Sequence, residues 1–110
     1  MNLLTMYRGD DRPFLLVVKD KDTGQVADIT GCSAVWTWKE NKGDASYFLQ
    51  KSANLTDPEQ GEAEFNIDAT DTESLREERI YFWDVELTKA TGKKETLCEG
   101  KIRILMDVTR

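Results

Sequence analysis

Histidine is absent from this chain of 110 residues, and cysteine and proline occur only twice each. Without histidine, the chain lacks the side chain that most often serves as general base, proton shuttle or metal ligand near neutral pH. The two cysteines form no CxxC motif, and a zinc site built on them would have to recruit carboxylates, so we predict neither a metal site nor a cofactor. We expect Cys32 and Cys98 to be reduced core residues, the alternative being that they meet across two sheets.

Long apolar runs and basic stretches are also missing. The longest apolar run, residues 14–18, is far shorter than the roughly 20 residues of a membrane span, and Arg8 and Asp10 interrupt the N-terminal region before a signal peptide could form. Asp and Glu outnumber Lys and Arg by 21 to 15, for a net charge of −6. Since phosphate binding relies on basic patches, we expect neither nucleic acid nor membrane as a partner. The length predicts one domain, 1–110.

What the chain does have is alternation of apolar and polar residues with a period of two, as in residues 62–68 and 81–87. Such alternation is typical of strands with one buried and one solvated face. Separated by turn-rich segments, these runs predict an all-β, immunoglobulin-like antiparallel sandwich of about seven strands, with Tyr81 as its corner tyrosine. We expect one short helical turn near residues 71–78 and a central strand at 14–18, which is apolar on both faces. The last strand is predicted to point four side chains inward: Ile102, Ile104, Met106 and Val108.

Two short motifs have a functional and a structural interpretation. Arg8-Gly9-Asp10 matches the integrin-binding tripeptide, and Asp20-x-Asp22-x-Gly24 resembles the opening of a calcium loop. Nothing else in the sequence accompanies either motif, and glycine with aspartate is common in tight turns. We therefore predict that both are turns.

Carboxylates and tryptophans are the remaining candidates for chemistry. Asp84 and Glu86 alternate with apolar residues, which places them on a solvated face where nothing would raise a pKa or hold a substrate, so we expect no enzymatic activity. Trp36, Trp38 and Trp83 fall on the faces predicted to be buried. If any of them faced solvent, the chain would instead be a carbohydrate- or ligand-binding sandwich module.

Ile80 and Phe82 depart from this pattern, because they lie on the outward face beside Asp84 and Glu86. An exposed apolar pair indicates contact with another chain. Tyr47 and Phe48 follow a turn and are expected to extend that patch or to form an edge strand. We predict a protein interface at these residues: Ile80, Phe82, Tyr47 and Phe48.

The order of these elements resembles a known family. Gly9-Asp10 precedes an apolar strand, and Asp28-Ile29-Thr30-Gly31 precedes the next; Gly61 leads into Glu64-Phe65; and Leu75 precedes residues 81–87. Thr96-Leu97 and Gly100-Lys101-Ile102 follow, with Asp107-Val108-Thr109-Arg110 at the end. This pattern is similar to the small immunoglobulin-like domains of tailed-bacteriophage virion proteins, including the N-terminal domain of phage baseplate upper proteins.

That resemblance implies a non-enzymatic component of a phage or prophage particle, in the tail, baseplate, connector or head. Its partners would be other virion proteins and symmetry-related copies of itself. The protein would be made in the host cytoplasm and would reside in the virion as an oligomer. No motif of that family defines site residues here.

Overall fold

The computed structural model describes residues 2–107 and consists of two packed β-sheets. A 3-10 helix spans Pro58–Gln60, and the single α-helix, α1, spans Ala69–Thr72. The strands are β1 (Asn2–Tyr7), β2 (Arg12–Val17), β3 (Ser33–Lys39), β4 (Leu49–Ser52), β5 (Asn54–Asp57), β6 (Glu62–Ile67), β7 (Arg79–Thr88) and β8 (Lys94–Leu105).

Strand order gives the fold its immunoglobulin-like character. The larger sheet runs β1-β8-β7-β3-β4 and the smaller one β2-β6-β5. The smaller sheet thus packs against β8, β7 and β3 of the larger sheet, as in the two sheets of an immunoglobulin domain. The predicted all-β, immunoglobulin-like sandwich is confirmed. The described chain has eight strands, and β1 pairs with β8 in parallel, whereas all other pairs are antiparallel.

The core lies between the sheets and follows the alternation of the sequence. Along β7, every second residue from Tyr81 to Leu87 is buried, and Ile102 and Ile104 of β8 are fully buried. Met106 is only partly buried, and Val108 lies outside the described residues. Aromatic rings fill the centre, with Trp36 in contact with four others: Phe14, Trp38, Phe65 and Trp83.

The apolar segment at 14–18 does not form a central strand. β2 is the edge of the smaller sheet, where Leu15 and Val17 are 61% and 40% exposed. Pro13 is consistent with that position. Proline has no N–H to donate to a neighbouring strand, and an edge strand tolerates this on the side that faces solvent. The prediction was wrong because apolar residues on both faces do not distinguish a buried strand from an edge strand with an exposed apolar face.

The helical turn lies earlier than predicted. α1 covers 69–72, and residues 73–78 form turns and an irregular loop. The Asp68 backbone N–H donates to the Asp71 carboxylate over 2.8 Å, which stabilises the first turn. The Leu75 carbonyl oxygen accepts a hydrogen bond from Arg8 Nη1 and thereby fixes the loop after the helix.

No helix among the described residues is long and apolar enough to cross a membrane. Cys32 and Cys98 are both free and partly buried.

Candidate functional site

The outer face of the larger sheet carries the apolar pair that the sequence predicts on β7. Ile80 is 43% exposed. Phe82 is partly covered by two cations, with Lys101 Nζ 5.3 Å and Lys42 Nζ 5.8 Å from its ring centroid. Such cation-π contacts hold the ammonium groups over the ring while leaving them accessible to water.

Strand register extends this pair across three strands. On β8, Arg103 lies opposite Ile80 and Lys101 lies opposite Phe82. On its other side, β8 pairs with β1, which places Thr5 beside Arg103 and Leu3 beside Lys101. Within the described part of the chain, no carboxylate lies within 4 Å of Lys101 or Arg103. We call this surface the basic-apolar patch, which comprises Leu3, Tyr7, Ile80, Phe82, Lys101 and Arg103.

Acidic side chains occupy the other half of the same face. Partial burial raises the pKa of Asp84, and the neighbouring carboxylates Glu86 and Glu99 add to this effect, while Lys39 opposes it. Glu99 also approaches Lys42 at 3.7 Å. The face is therefore divided into a basic and an acidic half.

Tyr47 and Phe48, predicted to extend the interface, lie apart from this patch. Tyr47 is exposed in the segment before β4. Phe48 packs on the core side, with its ring 4.4 Å from that of Tyr81 and 6.4 Å from that of Trp38. Since Tyr81 points inward between the outward-facing Ile80 and Phe82, Phe48 lies on the opposite side of β7 from them. The structure thus brings Ile80 and Phe82 together but not Phe48, and an interface at Tyr47 stays a prediction.

All three tryptophans are buried, with 2%, 0% and 7% of their surface exposed for Trp36, Trp38 and Trp83. This confirms the core placement predicted from the sequence. It also removes the exposed aromatic platform that would have favoured sugar binding.

A groove of about 340 Å³ opens between β1 and β2, each of which is an edge strand of its sheet. Trp36 and Trp83 line it, and their Nε1–H groups are buried without a hydrogen-bond acceptor among the described residues. The rest of its wall is apolar except for a thiol: Leu3, Leu4, Phe14, Leu15, Leu16, Phe65, Val85 and Cys98.

Arg8-Gly9-Asp10 stabilises the fold. Arg8 Nη2 lies 3.1 Å from Asp107 Oδ1, and the Gly9 N–H donates to Thr72 Oγ1 over 2.8 Å. Only about an eighth of the Arg8 side chain is exposed, so the tripeptide is not displayed as an exposed loop.

The Asp20 segment is also a turn, because Asp20 Oδ1 accepts hydrogen bonds from the backbone of Asp22 and Thr23. Within residues 2–107, no group of three or more acidic or cysteine side chains could hold a metal ion.

Sequence reasoning missed the cationic half of the patch, Lys101 and Arg103, since it considered only the inward-pointing side chains of the last strand. It also missed the exposed pair on β2, Leu15 and Val17. In the second case the signal was present, since Pro13 indicates an edge strand.

No protein-family model matches the chain. No curated protein matches it in sequence. Among solved structures, murine CRIg is similar, with a TM-score of 0.44 and 10% identity over 96% of this chain and 92% of that chain. AggA, the major subunit of aggregative adherence fimbriae type I from Escherichia coli, gives a TM-score of 0.34 and 12% identity over 97% and 91% of the two chains. Neither is a phage baseplate protein.

Proposed function

We propose that this chain is a non-enzymatic structural component of a bacteriophage or prophage particle that acts by protein-protein assembly. The observation that carries the proposal is the basic-apolar patch on the larger sheet. Ile80, Leu3 and Tyr7 each expose more than two fifths of their surface on one side of neighbouring strands.

Exposed apolar residues grouped on one face mark interaction surfaces, and here they flank Lys101 and Arg103 on both sides. Interface cores are enriched in aromatic residues and arginine, and charges around them favour partners of opposite sign. Tyr7, Phe82 and Arg103 supply these residue types here. The patch therefore fits a protein partner whose contact surface is apolar and acidic.

The particle itself is suggested by the sequence pattern from Gly9-Asp10 to Asp107, which resembles phage virion domains, and by the immunoglobulin-like strand order expected of them. The partners would be other virion proteins and copies of this chain, and the location would be the tail, baseplate, connector or head.

The test is to purify particles from cells that encode the chain and to look for it by mass spectrometry in the density-gradient fraction of intact particles. We expect the chain in that fraction, and we expect Ile80→Asp to leave it in the soluble fraction. Val26→Asp is the matched control, because Val26 is also 43% exposed but lies in the turn between β2 and β3. Intact particles without the wild-type chain would overturn the proposal.

A second candidate function, binding of a small apolar ligand, is favoured by the groove between β1 and β2. Its volume of about 340 Å³ is at the small end of ligand pockets, and its wall is almost entirely apolar. The probe is 2-nonanone, an aliphatic ketone, titrated while tryptophan fluorescence is recorded. A saturable change that is lost in Leu16→Trp, which fills the groove, would support this function, and an unchanged spectrum would exclude it.

A further inference from the structure

The outer face of the smaller sheet carries an acidic counterpart of the basic-apolar patch. Leu15 and Val17 of β2 are exposed, and β6 places Glu64 opposite the first and Glu62 opposite the second. Within residues 2–107, neither glutamate forms an ion pair, and Glu64 only accepts a hydrogen bond from Asn66 Nδ2. We call this surface the acidic-apolar patch, which comprises Leu15, Val17, Glu62 and Glu64.

The two patches share one layout with opposite charge. In the acidic-apolar patch, an apolar pair two residues apart on β2 lies beside a carboxylate pair two residues apart on β6. In the basic-apolar patch, Ile80 and Phe82 on β7 lie beside Arg103 and Lys101 on β8. Residues two apart are separated by about 6.8 Å along a strand, and neighbouring strands by about 4.8 Å, so both blocks have the same dimensions.

We propose that the acidic-apolar patch of one copy of this chain docks on the basic-apolar patch of a second copy. This inference rests on the proposed function and deepens it by naming the partner. In the docked arrangement the apolar pair of β2 covers the pair on β7, and the two glutamates lie over the arginine and the lysine. Each of the four charges, which has no ion-pair partner within the described chain, then gains one.

The alternative pairing, patch against identical patch, is disfavoured by electrostatics. A two-fold contact centred on the basic-apolar patch would bring Lys101 and Arg103 against the same residues of the second copy, and one that set the basic against the acidic half of the larger sheet would be unaffected by changes at Glu62 and Glu64. A two-fold contact through the smaller sheets would do the same with Glu62 and Glu64. Like charges facing each other in a contact cost several kcal/mol.

The two patches lie on opposite faces of the sandwich, so docking leaves one free patch at each end of a pair. A contact of this kind is heterologous and builds a ring where its rotation closes, or a filament where it does not. Since stacked sheets lie about 10 Å apart, successive copies would repeat about every 20 Å.

The test uses two variants, each with one patch reversed in charge. The first carries Lys101→Glu with Arg103→Glu, and the second carries Glu62→Lys with Glu64→Lys. Sedimentation velocity at low ionic strength measures self-association over a wide concentration range. We expect the wild-type chain to form multimers that weaken as salt is added, and each variant alone to associate at least about tenfold more weakly.

Mixing the two variants is the decisive step, because each still has one native patch. The reversed patch is acidic in the first variant and basic in the second, so we expect these two patches to bind each other as the native patches do. Association should therefore return in the mixture. A chain that carries all four substitutions is expected to multimerise alone for the same reason. The control carries Arg76→Glu with Lys93→Glu, the same change in net charge on exposed loops outside both patches, and should behave as the wild type.

Two results would overturn the proposal: a wild-type chain that stays monomeric, or a mixture and a four-fold variant that fail to associate. Either result would leave the proposed function unaffected, provided that intact particles contained the wild-type chain but not the Ile80→Asp chain. Conversely, head-to-tail multimers of a chain that is absent from particles would support the docking and overturn the virion assignment.

Discussion

The ring of Phe48 stacks on the ring of Tyr81, with centroids 4.4 Å apart and planes inclined by 11°. The contact joins the segment before β4 to the beginning of β7. Tyr81 is almost completely buried, and this burial raises the pKa of its hydroxyl. The predicted corner tyrosine is thus held in place by a residue that the sequence pattern assigned to the surface.

Phe48→Ala should lower the free energy of unfolding by about 2 kcal/mol, less than for a fully buried phenylalanine because Phe48 is only half-buried. Tyr47→Ala, one residue earlier and exposed, should change it by less than about 0.5 kcal/mol. Urea denaturation of the two variants measures both values. Equal effects would mean that Phe48 does not stabilise the corner.

Arg8→Ala should destabilise the fold, because the Arg8 guanidinium donates to the Leu75 carbonyl oxygen over 2.8 Å and forms an ion pair with Asp107. The expected loss is about 1–3 kcal/mol, since a partly buried acceptor and a carboxylate both lose a charged donor. Asp10→Ala, in the same tripeptide but exposed, is the control. Thermal unfolding with unchanged stability of Arg8→Ala would contradict this structural role.

Gly61 and Gly24 provide a matched pair for backbone strain, because both have a φ of +72°. A Cβ at Gly61 would lie 2.5 Å from the Val18 carbonyl oxygen and 2.8 Å from that of Ala27, whereas at Gly24 it would meet nothing within 4 Å.

Gly24→Ala should therefore cost only the left-handed backbone strain, about 1 kcal/mol. Gly61→Ala adds a clash with backbone atoms and should cost about 3 kcal/mol or more. Chemical denaturation compares the two variants, and a Gly61→Ala chain as stable as Gly24→Ala would show that the strands can separate to admit a methyl group.

Asp84 gives the stability a defined dependence on pH. Burial raises the pKa of this carboxyl in the folded chain, so the folded state holds the proton more tightly than the unfolded state. Its favourable contribution is complete below its ordinary pKa of 3.8 and is lost as the pH rises through the folded value.

Asp84→Asn should accordingly be more stable than the wild type at pH 7, by about 0.5 kcal/mol or less because water still screens the carboxylate. The difference should shrink towards pH 3. Denaturation curves at both values test the sign, and Asp22→Asn, at an exposed carboxylate that forms no ion pair among the described residues, serves as the control.

Much of this architecture is encoded locally. In β6 and β7 the alternation of the sequence is the alternation of burial, because each strand has one face on a common core. Leu15 and Phe48 are exceptions: Leu15, predicted in a central strand, is exposed, and Phe48, predicted at the interface, is half-buried. Whether an apolar side chain is covered depends on what packs over it, and that partner comes from a distant part of the chain.

The patches are less accessible to sequence reasoning. The layout of Ile80 beside Arg103, or of Leu15 beside Glu64, exists only through the register of strands that are 23 and 49 residues apart. The β-bulge after Val85 also shifts the pairing of β7 with β8, and no local signal marks it. Composition and alternation indicated that an exposed apolar pair exists on β7, but not which charges surround it.

The parallel pairing of β1 with β8 sets an order of events during synthesis. Asn2 pairs with Gly100, so the first strand has no partner until residues 100–105 have left the ribosome. Until then Met6 has no core to enter, and Leu3 and Tyr7 are not yet beside Lys101 and Leu105. Nascent chains crowded on one messenger RNA would thus lack a finished patch until β8 has left the ribosome and joined β1.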